Sequence, residues 1–132
     1  MQIRSTLLGL ALLGCAGPSH DTKVENTAKP APLTLHSDDE FIANGREIVR
    51  RLVVIFTDDG WDCDKLAADV SNLAEDPIWP ASTQYEDAHP TVRDRFATEQ
   101  AQMGQRFMAV AGPAMSTCGD NHAFAAALAK MQ

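Results

Sequence analysis

The sequence predicts an all-α fold, a small bundle of four helices. Three observations carry that prediction. Beyond residue 36, apolar side chains recur at steps of three and four over long stretches. Residues that start helices stand directly before these stretches. All 8 aromatic residues lie between Phe41 and Phe124, which confines the core to that part of the chain. The full length of 132 residues suits one small domain.

The first helix is announced by Ser37-Asp38-Asp39-Glu40, a capping box with Ser37 as N-cap and Glu40 three residues on. Phe41, Ile42, Ile48, Val49, Leu52, Ile55 and Phe56 form its apolar face, with Arg46, Glu47, Arg50 and Arg51 on the other side. Asp58-Asp59-Gly60 stops it, and Gly60 suits the position after a helix end. "LVVIF" alone reads equally well as a strand; the cap and the long period favour helix.

A second helix is predicted from Asp62, with Cys63, Leu66, Ala67, Val70, Leu73 and Ala74 inward and Pro77 as its end. Residues 76–89, with two prolines and two aromatics, read as a loop in which Ile78 and Trp79 cap the open end of the bundle. Trp79 and Tyr85 make this the most individual surface of the chain. Pro90 suits the first turn of a third helix, whose inner face is Val92, Phe96, Met103, Phe107, Val110, Ala114 and Cys118. Gly112-Pro113 predicts a kink or break. Asp120 is the expected cap of a short last helix with Phe124, Leu128 and Met131 inward. No internal repeat is present.

Upstream, residues 16–36 hold three prolines, no aromatic residue and little apolar periodicity. They read as a flexible tether, which at 21 residues spans about 25 Å r.m.s.. His20 and His36 are solvated tether residues on this reading. The first residues differ again: Arg4 supplies a basic start, and Leu7 to Leu13 form an apolar run too short to span a bilayer. The run ends in Leu12-Leu13-Gly14-Cys15. That order resembles the lipobox of bacterial lipoproteins. The resemblance implies cleavage of residues 1–14 as a signal peptide and a diacylglycerol on the Cys15 sulfur. Residues 15–36 then become a lipidated tether, and 37–132 the helical domain. Acyl chains anchor at roughly 0.8 kcal/mol per buried CH₂. Ala16 after the cysteine, rather than Asp, resembles the outer-membrane address. The expected location is the cell envelope, lipid-anchored, at the outer membrane facing periplasm or exterior.

With Cys15 lipidated, Cys63 and Cys118 remain, and an exported chain lives where thiols pair. The expectation is a Cys63–Cys118 disulfide worth roughly 4 kcal/mol by loop-closure entropy. Net charge falls from -7 to -8 once the +1 of Arg4 leaves with the leader. That excludes nucleic acid as a partner and gives no electrostatic hold on anionic lipid. The membrane is engaged through the lipid anchor, and a protein or small molecule is the further partner to be found.

The rival class is a haem- or metal-binding bundle. Cys118 and His122 lie four apart and with Cys63 make three zinc ligands, in an order unlike a finger or ribbon. Attached haem needs C-x-x-C-H, which "CGDNH" lacks, and a b-type site resembling that of cytochrome b562 wants a methionine on the first helix facing a histidine such as His122 on the last, whereas residues 37–60 contain no methionine. No cofactor is therefore expected and no residue is assigned as a metal ligand. The Asp58, Asp59, Asp62, Asp64 cluster fails the EF-hand pattern because Gly60 falls at its third position. Asp62 and Asp64 instead complement the positive end of the second helix. No nucleophile motif occurs. His122 and Asp120 diverge on a helix and His89 sits at a helix start, so no catalytic residue is assigned and no enzyme is expected.

"WDCDKLA" at 61–67 and "CGDNHAFAAAL" at 118–128 loosely resemble small disulfide-containing helical lipoproteins of bacterial genomes. That resemblance implies no activity. The expected function is a non-catalytic, membrane-anchored binding or accessory module.

Overall fold

A computed structural model describes residues 29–132. The predicted signal peptide at 1–14, Cys15 and the first part of the tether lie outside the described residues. Those described are all-α: helices α1 (Asp38–Asp59), α2 (Cys63–Glu75), α3 (Ile78–Ala88), α4 (Val92–Arg95), α5 (Ala97–Cys118) and α6 (His122–Ala129), with no strand among them.

Helix α1 begins as its capping box predicts. The Ser37 hydroxyl accepts from the Glu40 N–H at 3.2 Å, and the Glu40 carboxylate accepts from the His36 N–H at 2.7 Å. Its C-terminal Gly60 is not left-handed, having φ -57°. Glycine is needed there for space instead. A Cβ would stand 2.5 Å from the Phe56 carbonyl oxygen one turn back in α1, a backbone clash that no side-chain shift relieves, and in tight contact at 3.3 Å with the Ala114 Cβ of α5.

The expected loop at 76–89 is a correction: it contains α3. Pro77 is the N-cap of that helix and Pro80 lies in its first turn, where the N–H groups have no intrahelical acceptor to miss. The same prolines that end α2 therefore begin α3. The third predicted helix also divides. Phe96, at φ -115°, separates the turn α4 from α5 while its ring packs inward. Pro113 does not break α5, which is continuous to Cys118. Pro113 and Ala109 are both exposed, so water can satisfy the carbonyl that loses its donor. The cap of α6 is Asn121, not Asp120; its side chain accepts from the Phe124 N–H at 2.9 Å.

Contacts between helices give their directions. Arg46 meets Glu99, Phe56 meets Phe107 and Gly60 meets Ala114, so α1 and α5 run parallel. Asp64 meets Asn121 and Ser71 meets Lys130, so α2 and α6 run parallel. Arg51–Asp76 and Phe41–Tyr85 set α2 and α3 antiparallel to α1. The chain thus rises through α1, descends through α2 and α3, rises through α5 and descends through α6. Four passes are made, as the sequence predicts, with the second pass broken at Pro77.

The main core fills the space between α1, α2, α5 and α6. Leu66, Val70, Cys118 and Phe124 are at its centre, and Ile78, Trp79 and Phe107 pack against it. A second cluster of Phe41, Tyr85 and Val92 closes the opposite end. Leu35 packs on that cluster, and residues 29–33 border an open hollow whose other wall is Pro77, Pro80 and Ala81. Within the last part of the predicted tether, Leu35 is therefore half-buried, because it is an apolar residue with a place to bury.

Candidate functional site

The two sequence-assigned cysteines meet. Cys63 at the start of α2 and Cys118 at the end of α5 form a disulfide with Cα atoms 5.3 Å apart. Cys118 is wholly buried, whereas Cys63 is half-buried at the first turn of α2 rather than fully in the core. Both sulfurs are consumed, which removes the two thiolates that a zinc site with His122 would require. His122 itself is exposed at the first position of α6. No group of three metal-binding side chains occurs among the described residues. Cys15 lies outside them.

Close to the disulfide is a charged group whose acid the sequence shows only as a helix stop and as a member of the Asp58, Asp59, Asp62, Asp64 cluster. Asp59 is 4% exposed at the C-terminal end of α1, where the helix dipole disfavours an anion. Lys65 bridges it and also approaches Asp69 at 3.5 Å. The Lys65 ammonium holds the Asp59 carboxyl below its ordinary value, with burial opposing. Asp69 is pushed up, first because its proton bridges to the Asp59 carboxylate and then by burial.

At the far end, Tyr85 stacks between two rings. Phe41 lies 5.5 Å away at 24°, and His89 lies 4.1 Å away at 18°. The Tyr85 hydroxyl donates to Asp38 at 2.7 Å and is pushed up to about 12 by that hydrogen bond and by burial. Asn44, buried in α1, donates 2.7 Å hydrogen bonds to the Ile78 carbonyl and the Ser82 hydroxyl, which ties α1 to α3. Tyr85 is thus committed to holding the domain closed. Trp79 is half-buried and packs on the main core, as a cap for the open end requires.

Open surface lies along the parallel α1–α5 seam. On one side, a cleft of about 520 Å³ runs between α1, α3 and α5, bordered by Gly45, Val49, Trp79, Met103 and Gly104. On the other side of the Val49–Met103 contact line lies a depression of about 500 Å³, bordered by Val49, Val53, Val54 and Met103 and by the arginines Arg46, Arg50 and Arg106. One helical turn further along each helix, a smaller hollow of about 170 Å³ includes Thr57, Val110 and the 78%-exposed Trp61. The sequence reading placed Arg46 and Arg50 on the outer face of α1, which is where they are. It had no signal that Arg106 of α5 would stand beside them, because that depends on the parallel packing of helices far apart in sequence.

No family model, curated protein or solved structure matches this chain.

Proposed function

We propose that the protein is a membrane-anchored envelope lipoprotein whose helical domain is a non-catalytic binding module. The α1–α5 seam carries the binding half of this reading. It offers open volumes of about 520 Å³ and 500 Å³, in the size range of small-molecule sites. Its walls mix valine and methionine with charged rims, which is a surface suited to holding a ligand rather than transforming it. The lipobox at Leu12-Leu13-Gly14-Cys15 supports the anchor. The Cys63–Cys118 bond supports an oxidising compartment, where such bonds persist.

Metabolic labelling with palmitate in a bacterial host tests the anchor. Label on the wild-type chain that is lost in Cys15→Ser, together with fractionation to the envelope, is the expected result; an unlabelled wild-type chain overturns it. A visible spectrum and metal analysis of the oxidised protein test the binding-module reading against a cofactor carrier. A Soret band or stoichiometric zinc would replace it.

A further inference from the structure

The mature chain is strongly acidic, yet the depression beside Val49 and Met103 is bordered by three arginines and no acid. Arg46 pairs with Glu99 and Arg50 with Glu47, both on exposed surface. The exposed Arg46–Glu99 pair contributes little, about 0–1 kcal/mol, whereas Arg50 is gripped by two 2.7 Å bonds to Glu47 and is already committed. Arg106 makes no ion pair among the described residues. Between the arginines, Val49 and Val53 are half-buried and Val54 is 46% exposed, an apolar strip with a cationic rim.

We propose that this part of the seam binds a single-chain anionic amphiphile. Its phosphate or carboxylate head sits on Arg106, the rim arginine without an ion pair among the described residues, and its alkyl chain lies along Val49, Val53, Val54 and Met103. Charge complementarity selects the head, because guanidinium forks match planar and tetrahedral oxyanions. The apolar strip selects the tail. A free inorganic anion would use only the rim and leave the strip in water. A neutral lipid would leave Arg106 without a new partner. The inference rests on the reading of this domain as a binding module, and it is independent of the lipid on Cys15.

Methyl-resolved NMR of the mature full chain in nanodiscs of zwitterionic lipid tests it, with dodecyl phosphate as probe. Saturable shifts of the Met103, Val49 and Val53 methyls are expected. Dodecanol should bind about tenfold more weakly or worse, and inorganic phosphate alone should leave those methyls unmoved. Arg106→Gln should weaken dodecyl phosphate by about tenfold, consistent with loss of one charge-assisted hydrogen bond. Its circular dichroism should be unchanged, since Arg106 is exposed. Equal binding of dodecanol, methyl shifts from phosphate alone, no saturation, or an Arg106→Gln variant of full affinity would each overturn the proposal. All four leave the visible spectrum and metal content of the oxidised protein, which test the binding-module reading, unaffected, so the two failures are distinguishable.

Discussion

At the upper end of the bundle, the end of α1, the start of α2, the end of α5 and the start of α6 converge on Cys63–Cys118. Buried apolar side chains pack beneath the covalent link, with Leu66, Val70 and Phe124 at most 1% exposed. At the lower end, α1, α3 and α4 close on a cluster of only three buried residues, Phe41, Tyr85 and Val92. That end relies on a ring stack, on the Tyr85–Asp38 hydrogen bond, and on exposed ion pairs from Arg93 to Glu86 and from Arg95 to Asp38. The difference teaches that cooperativity is concentrated at the stapled end. Local opening should start at the other, where directional and solvent-screened contacts replace buried area. The depression with its arginines lies between the two ends, midway along α1 and α5.

Four measurements would sharpen or break that comparison. The largest effect is expected from the disulfide. Replacing both cysteines with alanine should lower unfolding free energy in urea by about 4 kcal/mol, the loop-closure value for residues 55 apart. A loss below about 1 kcal/mol would show that the staple does not dominate the upper end.

Next, Leu66→Ala should cost about 3 kcal/mol, since a fully buried leucine leaves a cavity that rigid neighbours cannot fill. By contrast Tyr85→Phe keeps the ring stack and strands the Asp38 contact. It should cost about 1–2 kcal/mol, and amide exchange should accelerate in α3 and the start of α1 but not in α2 or α6. Uniform acceleration would mean that the two ends unfold together.

The smallest effects concern the carboxylates near the staple, and they have opposite signs. Asp59 has a lowered folded pKa, so its stabilisation is present above the ordinary carboxylate value of 3.8 and is lost as pH falls through the lowered value. Asp59→Asn should therefore destabilise by about 1 kcal/mol at pH 7, an amount discounted because Lys65 is largely exposed. It should also remove part of the acid-induced loss below pH 3.8. Asp69 has a raised folded pKa, so its ionisation as pH rises above 3.8 works against the fold. Asp69→Asn should leave stability at neutral pH unchanged or slightly higher. Chemical denaturation at pH 3 and pH 7 checks both, and equal losses for the two variants would refute the assignment.

Much of this architecture was legible in the residues themselves. The Ser37 capping box, the apolar face of α2 and the inward run of α5 all stand where their periodicity places them, because local hydrogen bonding and burial of one face act within a few residues. Prolines were the least legible. Pro77 and Pro80 read as loop residues, yet they lie where a helix start does not need their N–H groups. Pro113 read as a breaker, yet it lies on a solvent face where water can replace the lost donor. Leu35 looked like tether until a partner surface of Tyr85 and Phe41 existed for it.

By itself the sequence determined the all-α class, the starts of α1 and α2, the four passes and, through the resemblance to a lipobox and the cysteine count, the expected pairing of Cys63 with Cys118. Those depend on periodicity, caps and parity, which are local or countable properties. Only the tertiary structure decided that α1 and α5 run parallel in contact, that the end of α1 at Gly60 packs against Ala114, and that Arg106 joins Arg46 and Arg50 around one apolar strip. The physical reason is that side chains more than fifty residues apart come together only through the summed packing of several helices, and no short window of sequence contains that sum.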